Sequence, residues 1–108
     1  MTTLPDLIRS QQSFLLTGHE NPDGDCVGAQ VALSQMLLGM GKTVHIVNPD
    51  PLSVSFDFLT EHTTFACART GDLLPEFDVA ILLDCSQLSR VGSLGKSIGA
   101  RGKTIAVI

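Results

Sequence analysis

Residues 13–48 read "SFLLTGHENPDGDCVGAQVALSQMLLGMGKTVHIVN", and this stretch decides the fold class. "SFLLT" is a short apolar run of strand length. From Asp25 to Met40 the residues Val27, Ala29, Val31, Ala32, Leu33, Met36, Leu37, Leu38 and Met40 cover most of a helix, which implies burial against a sheet. Gly39 and Gly41 stop that helix, and "TVHIVN" is a second strand. Strand, long helix, strand is the unit that makes parallel neighbours through a right-handed crossover.

The flanks extend the pattern. Residues 4–12 form a short helix with Leu4, Leu7 and Ile8 on one side. Residues 48–77 mix prolines with a short helix near Phe56–Leu59 and a short strand near Thr64–Ala66. "DVAILLDCS" is a strand running into Asp84, a helical segment follows within "LSRVGSLGKSIG", and "KTIAVI" is a last buried strand introduced by "GARG". The alternation specifies an α/β domain with a mainly parallel sheet and flanking helices. At 108 residues there is room for one domain at most. The final strand stops at Ile108 without turn, cap or polar tail, so a truncated sequence is expected.

Composition narrows the function. A net charge of -4 argues against gripping duplex nucleic acid through a broad basic face, though a short oligonucleotide held by metal ions remains compatible. Cys26, Cys67 and Cys85 are odd in number and form no CxxC pair, which points away from a disulfide framework and towards a reducing cytoplasm. No signal-like N-terminus and no membrane-length apolar run is present.

In parallel α/β sheets, ligands gather beyond the carboxyl ends of the strands. The loop "GHENPDGDC" at 18–26 and the strand-end Asp84 both belong to that edge, which makes His19, Asp23, Asp25 and Asp84 candidate ligands of one site. A purely structural account makes Asp25 the N-cap of the long helix and Gly24 the turn, with Asn21 and Pro22 shaping the entry. One cap needs one carboxylate, however, and clustered carboxylates repel without a cation. Asp and His together suit Mn, Mg or Fe better than a structural zinc. Cys26 and Cys85 are read as small residues beside the site rather than ligands, and His45 and His62 as structural or solvent-facing. Phosphate-loop readings fail: "GMGKT" has Met36 and "GARGKT" has Ser97 where the motif requires glycine.

"HENPDGDCVGA" (19–29) resembles motif I of the DHH phosphoesterase superfamily, and "ILLDCSQLSRVG" (81–92) resembles its motif II. The pattern is most similar to the branch of bifunctional oligoribonucleases and 3′-phosphoadenosine 5′-phosphate phosphatases. The resemblance implies two divalent cations, Mn2+ foremost with Mg2+ as the other choice. His19 and Asp23 would hold the first, Asp25 the second, and Asp84 would bridge both as the catalytic carboxylate. Arg90 matches a recurrent motif II arginine, a candidate substrate contact, and Gly92 follows it in the expected place. The Asp-His-His triplet that names the superfamily, motif IV and the C-terminal substrate-binding domain belong after a strand like "KTIAVI", so these 108 residues alone are expected to be inactive.

Two metals roughly 4 Å apart supply an acidified water and relieve charge on the phosphoryl oxygens. The resemblance to that branch implies hydrolysis of short RNA, with 3′-phosphoadenosine 5′-phosphate as a second candidate substrate, and the expected setting is a cytoplasmic protein with a homodimer as the candidate full-length state. A manganese inorganic pyrophosphatase of the same superfamily and a non-catalytic nucleotide-binding sensor are the competing readings. The full loop and "DCSQLSRVG" favour the phosphoesterase.

Overall fold

Strand β1 (Ser13–Gly18) is apolar from Phe14 to Leu16, and the fold buries both of its faces. The computed structural model describes residues 3–20, 23–50, 56, 58, 63–67, 74–83, 91 and 93–108. After helix α1 (Leu4–Ser10) and β1 come helix α2 (Gly24–Gly39) and strands β2 (Thr43–Asn48), β3 (Phe65–Cys67) and β4 (Val79–Leu83). Helix α3 (Ser93–Ala100) and strand β5 (Thr104–Val107) complete the described elements. The five strands form one sheet in the order β3-β2-β1-β4-β5, with every pairing parallel. This is the expected α/β architecture.

Period-2 alternation splits the core between two faces. Phe14, Leu16, Ile46, Val79, Ile81 and Leu83 pack with Ile8 of α1 and Leu37 of α2. Leu15, Val47, Ala80 and Leu82 pack on the opposite face with Leu94 and Ile98 of α3. A strand covered on both sides has no polar-out positions, so β1 and β4 read as continuous apolar runs.

The helix ends carry specific chemistry. Thr3 Oγ1 accepts from the Asp6 amide while Asp6 Oδ2 accepts from the Thr3 amide, closing a capping box on α1. At the far end of α2, Lys42 N donates to Leu37 O and Gly41 N to Leu38 O, both at 3.0 Å. That double closure requires a left-handed residue, which Gly41 supplies at φ 80°.

Three expectations need correction. Helix α1 ends at Ser10 rather than residue 12, because Gln11 is already extended and Asp78 Oδ2 accepts from the amides of Gln12 and Ser13. Those bonds draw the chain into β1. Helix α2 is buried along one stripe only, Cys26, Val27, Gln30, Ser34 and Leu37, while Met36, Leu38 and Met40 stay about half exposed. The stripe thus admits two polar residues and omits three large apolar ones. Strand β5 is not buried: it lies at the sheet edge, with Ile105 and Val107 exposed beyond the reach of the α3 core.

Candidate functional site

The carboxyl ends of the three central strands lie side by side. Gly18, the last residue of β1, pairs with Leu83, the last of β4. On the other side the register Leu16↔Ile46 brings Asn48, the last residue of β2, to the same level. Helix α2 starts just beyond this edge, so its first turn faces the strand ends.

Asp23, not Asp25, is the N-cap of α2. Its backbone is extended (φ −94°, ψ −179°) and its Oδ1 accepts from the Cys26 amide at 3.0 Å. The helix begins one residue earlier than the sequence suggested because Gly24 joins the first turn. Asp25 lies exposed within that turn, where the helix dipole favours a negative charge.

His19 follows β1 directly. Its Nδ1 lies 2.6 Å from the Glu20 carbonyl oxygen, and since a carbonyl only accepts, Nδ1 carries the proton and donates. In the neutral ring Nε2 then holds a lone pair, and it stands 3.8 Å from Asp23 Oδ2. The imidazole is largely covered, with its side chain 13 % exposed, while the Asp23 side chain is 59 % exposed. One Asp23 oxygen caps the helix and the other faces His19. Two electron-pair donors at this separation can both lie about 2.1 Å from one cation, the usual bond length for such ligands. That would set them about 130° apart at the cation, so the gap would have to close by about 0.4–0.8 Å to match the roughly 90–110° of an octahedral or tetrahedral shell around a divalent metal of the nitrogen and oxygen class.

Among the described residues no group of three or more His, Cys, Asp or Glu side chains gathers as a metal cluster. The structure brings His19 and Asp23 together and does not add Asp25 to them. Asp84 and Arg90 lie outside the described residues, as do Cys85, Gly92 and His62. His45 is exposed on β2, as expected of a residue outside the site, and Cys26 is buried beneath the loop.

Sequence reading missed the layer under the loop. A β-carbon on Gly18 would clash with the Cys26 sulfur, so only glycine lets α2 approach β1 this closely. The Cys26 thiol makes a long contact, 3.9 Å, with the Leu83 carbonyl oxygen. Gln30 and Asn48 are buried and exchange amide bonds: Gln30 Nε2 donates to Asn48 Oδ1 at 2.7 Å, and Asn48 Nδ2 donates to Gln30 Oε1 at 3.1 Å. The available signal was a glutamine one turn after Cys26 and Val27, in phase with Ser34 and Leu37. Thr17, on the α3 face of β1, is fully buried, and its hydroxyl makes no hydrogen bond among the described residues.

The family model described as "DHH family, N-terminal domain" matches residues 13–108. The chain belongs to the DHH family. No curated protein matches this DHH chain. Its fold is similar to the crystal structure of an exopolyphosphatase-related protein from Bacteroides fragilis, with a TM-score of 0.82 and 18 % sequence identity. The match covers 96 % of this chain and 32 % of that protein, so the DHH chain spans about a third of the length of its structural relative. Among the described residues no helix is long and apolar enough to cross a membrane.

Proposed function

We propose that this DHH chain is the N-terminal part of a metal-dependent phosphoesterase that hydrolyses short oligoribonucleotides and 3′-phosphoadenosine 5′-phosphate. The observation that carries the reading is the His19 Nε2 to Asp23 Oδ2 pair, 3.8 Å apart at the carboxyl edge of a parallel sheet in a DHH-family chain. His19, Asp23, Asp25 and Asp84 would hold two divalent cations, manganese foremost, which when bound would supply an acidified water and relieve charge on the phosphoryl group.

The residues divide the work of holding them. His19, its tautomer set by the Glu20 carbonyl, offers Nε2, and Asp23 offers Oδ2 while Oδ1 stays on the helix. Asp25 is the ligand assigned to the second cation. Asp84 follows Leu83, whose strand partner Gly18 precedes His19, and that register supports the bridging role assigned to it. Arg90 is assigned to the substrate. A small cavity-bound nucleotide suits a chain of net charge -4 better than a duplex does. The same reading places the protein in the cytoplasm as a homodimer, with the remaining ligands and the substrate-binding domain supplied by sequence beyond these residues.

The test is hydrolysis by the intact protein, with and without manganese, of a ribodinucleotide, 3′-phosphoadenosine 5′-phosphate, pyrophosphate and long-chain polyphosphate. Manganese-dependent cleavage of the first two supports the assignment. Turnover of pyrophosphate alone would move the protein to the pyrophosphatase branch, and turnover of polyphosphate alone to the activity named for its structural relative. Manganese binding with no hydrolysis of any of them would leave a sensor domain.

A further inference from the structure

The two ligands that the structure brings together ride on different elements. His19 is carried by the end of β1, Asp23 by the start of α2, and the gap between them depends on where α2 lies along the sheet. Apolar burial is non-directional, so a directional bond between α2 and the sheet adds to what packing alone fixes. We propose that Gln30 and Asn48 are a positioning pair, whose reciprocal amide bonds set the height of α2 and hence the placement of Asp23 and Asp25 against His19.

Both amides are buried at the strand-end level, and each gives one donor and one acceptor to the other. A pair of apolar side chains would fill the same volume without desolvating four polar groups, so packing alone does not account for the choice. Bond lengths of 2.7 and 3.1 Å leave little freedom for sliding. Gln30 Nε2 also lies 3.3 Å from where a Gly18 β-carbon would stand, so the clasp rests against β1 as well as β2. Seven residues separate Gln30 from Asp23, about 10.5 Å of helix at 1.5 Å per residue. A hydrogen-bonded helix passes a shift at Gln30 to its first turn almost undiminished. A slip of about 1 Å is comparable with the tolerance of a metal site.

The inference rests on the metal reading and is tested separately from activity. Free manganese is followed by electron paramagnetic resonance as it is added to the intact protein, with thermal unfolding recorded alongside. Asn48→Gln lengthens the clasp by one methylene and is expected to weaken manganese binding about tenfold, the scale on which supporting partners act. Gln30→Asn combined with Asn48→Gln restores the total length and is expected to recover most of that loss. Gln30→Met with Asn48→Leu, if folded, should bind as weakly as Asn48→Gln. Should Asn48→Gln bind manganese as tightly as the unaltered protein, or the exchanged pair recover nothing, the positioning role is overturned whatever happens to the apolar pair. Failure of the unaltered protein to bind manganese would overturn the metal reading and this inference together, whereas normal binding in every variant would overturn the inference alone.

Discussion

Gly18 and Cys26 occupy adjoining space with no room for another atom: a β-carbon on the glycine would clash with the cysteine sulfur. Overpacking a core commonly costs about 1–3 kcal/mol, and here the obstacle is the fully buried side chain of Cys26. Gly18→Ala is therefore expected to destabilise the protein by about 2 kcal/mol. Cys26→Ala removes the sulfur, so Gly18→Ala/Cys26→Ala should regain much of that loss. Urea unfolding of the four proteins of this cycle measures the coupling, and strictly additive effects would contradict the contact.

Asp23 Oδ1 caps the helix while Oδ2 stands 3.8 Å from His19 Nε2, so capping and the proposed ligation separate by substitution. Asparagine is also a good N-cap, and Asp23→Asn should keep stability within about 0.5 kcal/mol while weakening manganese binding. Asp23→Ala should lose both, with about 1 kcal/mol of stability gone. Asp25→Ala should weaken binding without loss of a cap. Thermal unfolding and metal titration on the three variants check the division; equal manganese affinity in Asp23→Asn and the unaltered protein would remove Asp23 from the ligand set.

Asp84→Ala in the intact protein is expected to lower turnover by more than about a hundredfold, beyond what loss of a supporting partner usually causes. Circular dichroism should show an unchanged fold. Wild-type turnover in this variant would end the bridging assignment.

Asp78 ties the start of β1 to the start of β4 at the opposite edge of the sheet. Its carboxyl is held below its ordinary value of 3.8 by the Ser13 backbone amide, then by that of Gln12, with the Lys103 charge adding a smaller effect. A carboxyl with a lowered folded pKa stabilises fully above the unfolded value and loses that contribution as pH falls through the folded one. Stability should therefore decline below about pH 4 more steeply than in Asp78→Asn. Thermal midpoints between pH 2 and 7 test this, and parallel curves for the two proteins would rule it out.

Thr17 hides a hydroxyl without a hydrogen bond among the described residues. An unsatisfied buried polar group costs about 1–3 kcal/mol, and valine has nearly the same shape. Thr17→Val should raise stability by about 1 kcal/mol, measured by urea unfolding. A loss of that size would show that the hydroxyl has a partner.

The strands β1, β2, β4 and β5 and the long helix were legible because each is a mostly apolar run of strand or helix length bounded by glycine, proline or polar punctuation. Local spacing also put His19 at a strand end and Asp23 and Asp25 at the entrance to a helix. Which carboxylate caps that helix was not legible, since Asp23 and Asp25 are equally good caps and a two-residue difference in helix start decides between them. Nor was the face that α2 buries. Its apolar residues surround the axis, and only the seating against β1 and β2 turned Gln30 and Ser34 inward and left Met36, Leu38 and Met40 in solvent. The Gln30–Asn48 clasp and the Gly18–Cys26 contact join residues 18 and 8 positions apart across different elements, so their chemistry exists only once the sheet register is set. Run length and punctuation in the sequence determined what each segment is. Packing between segments, which depends on distances that no local pattern encodes, decided which side chains meet.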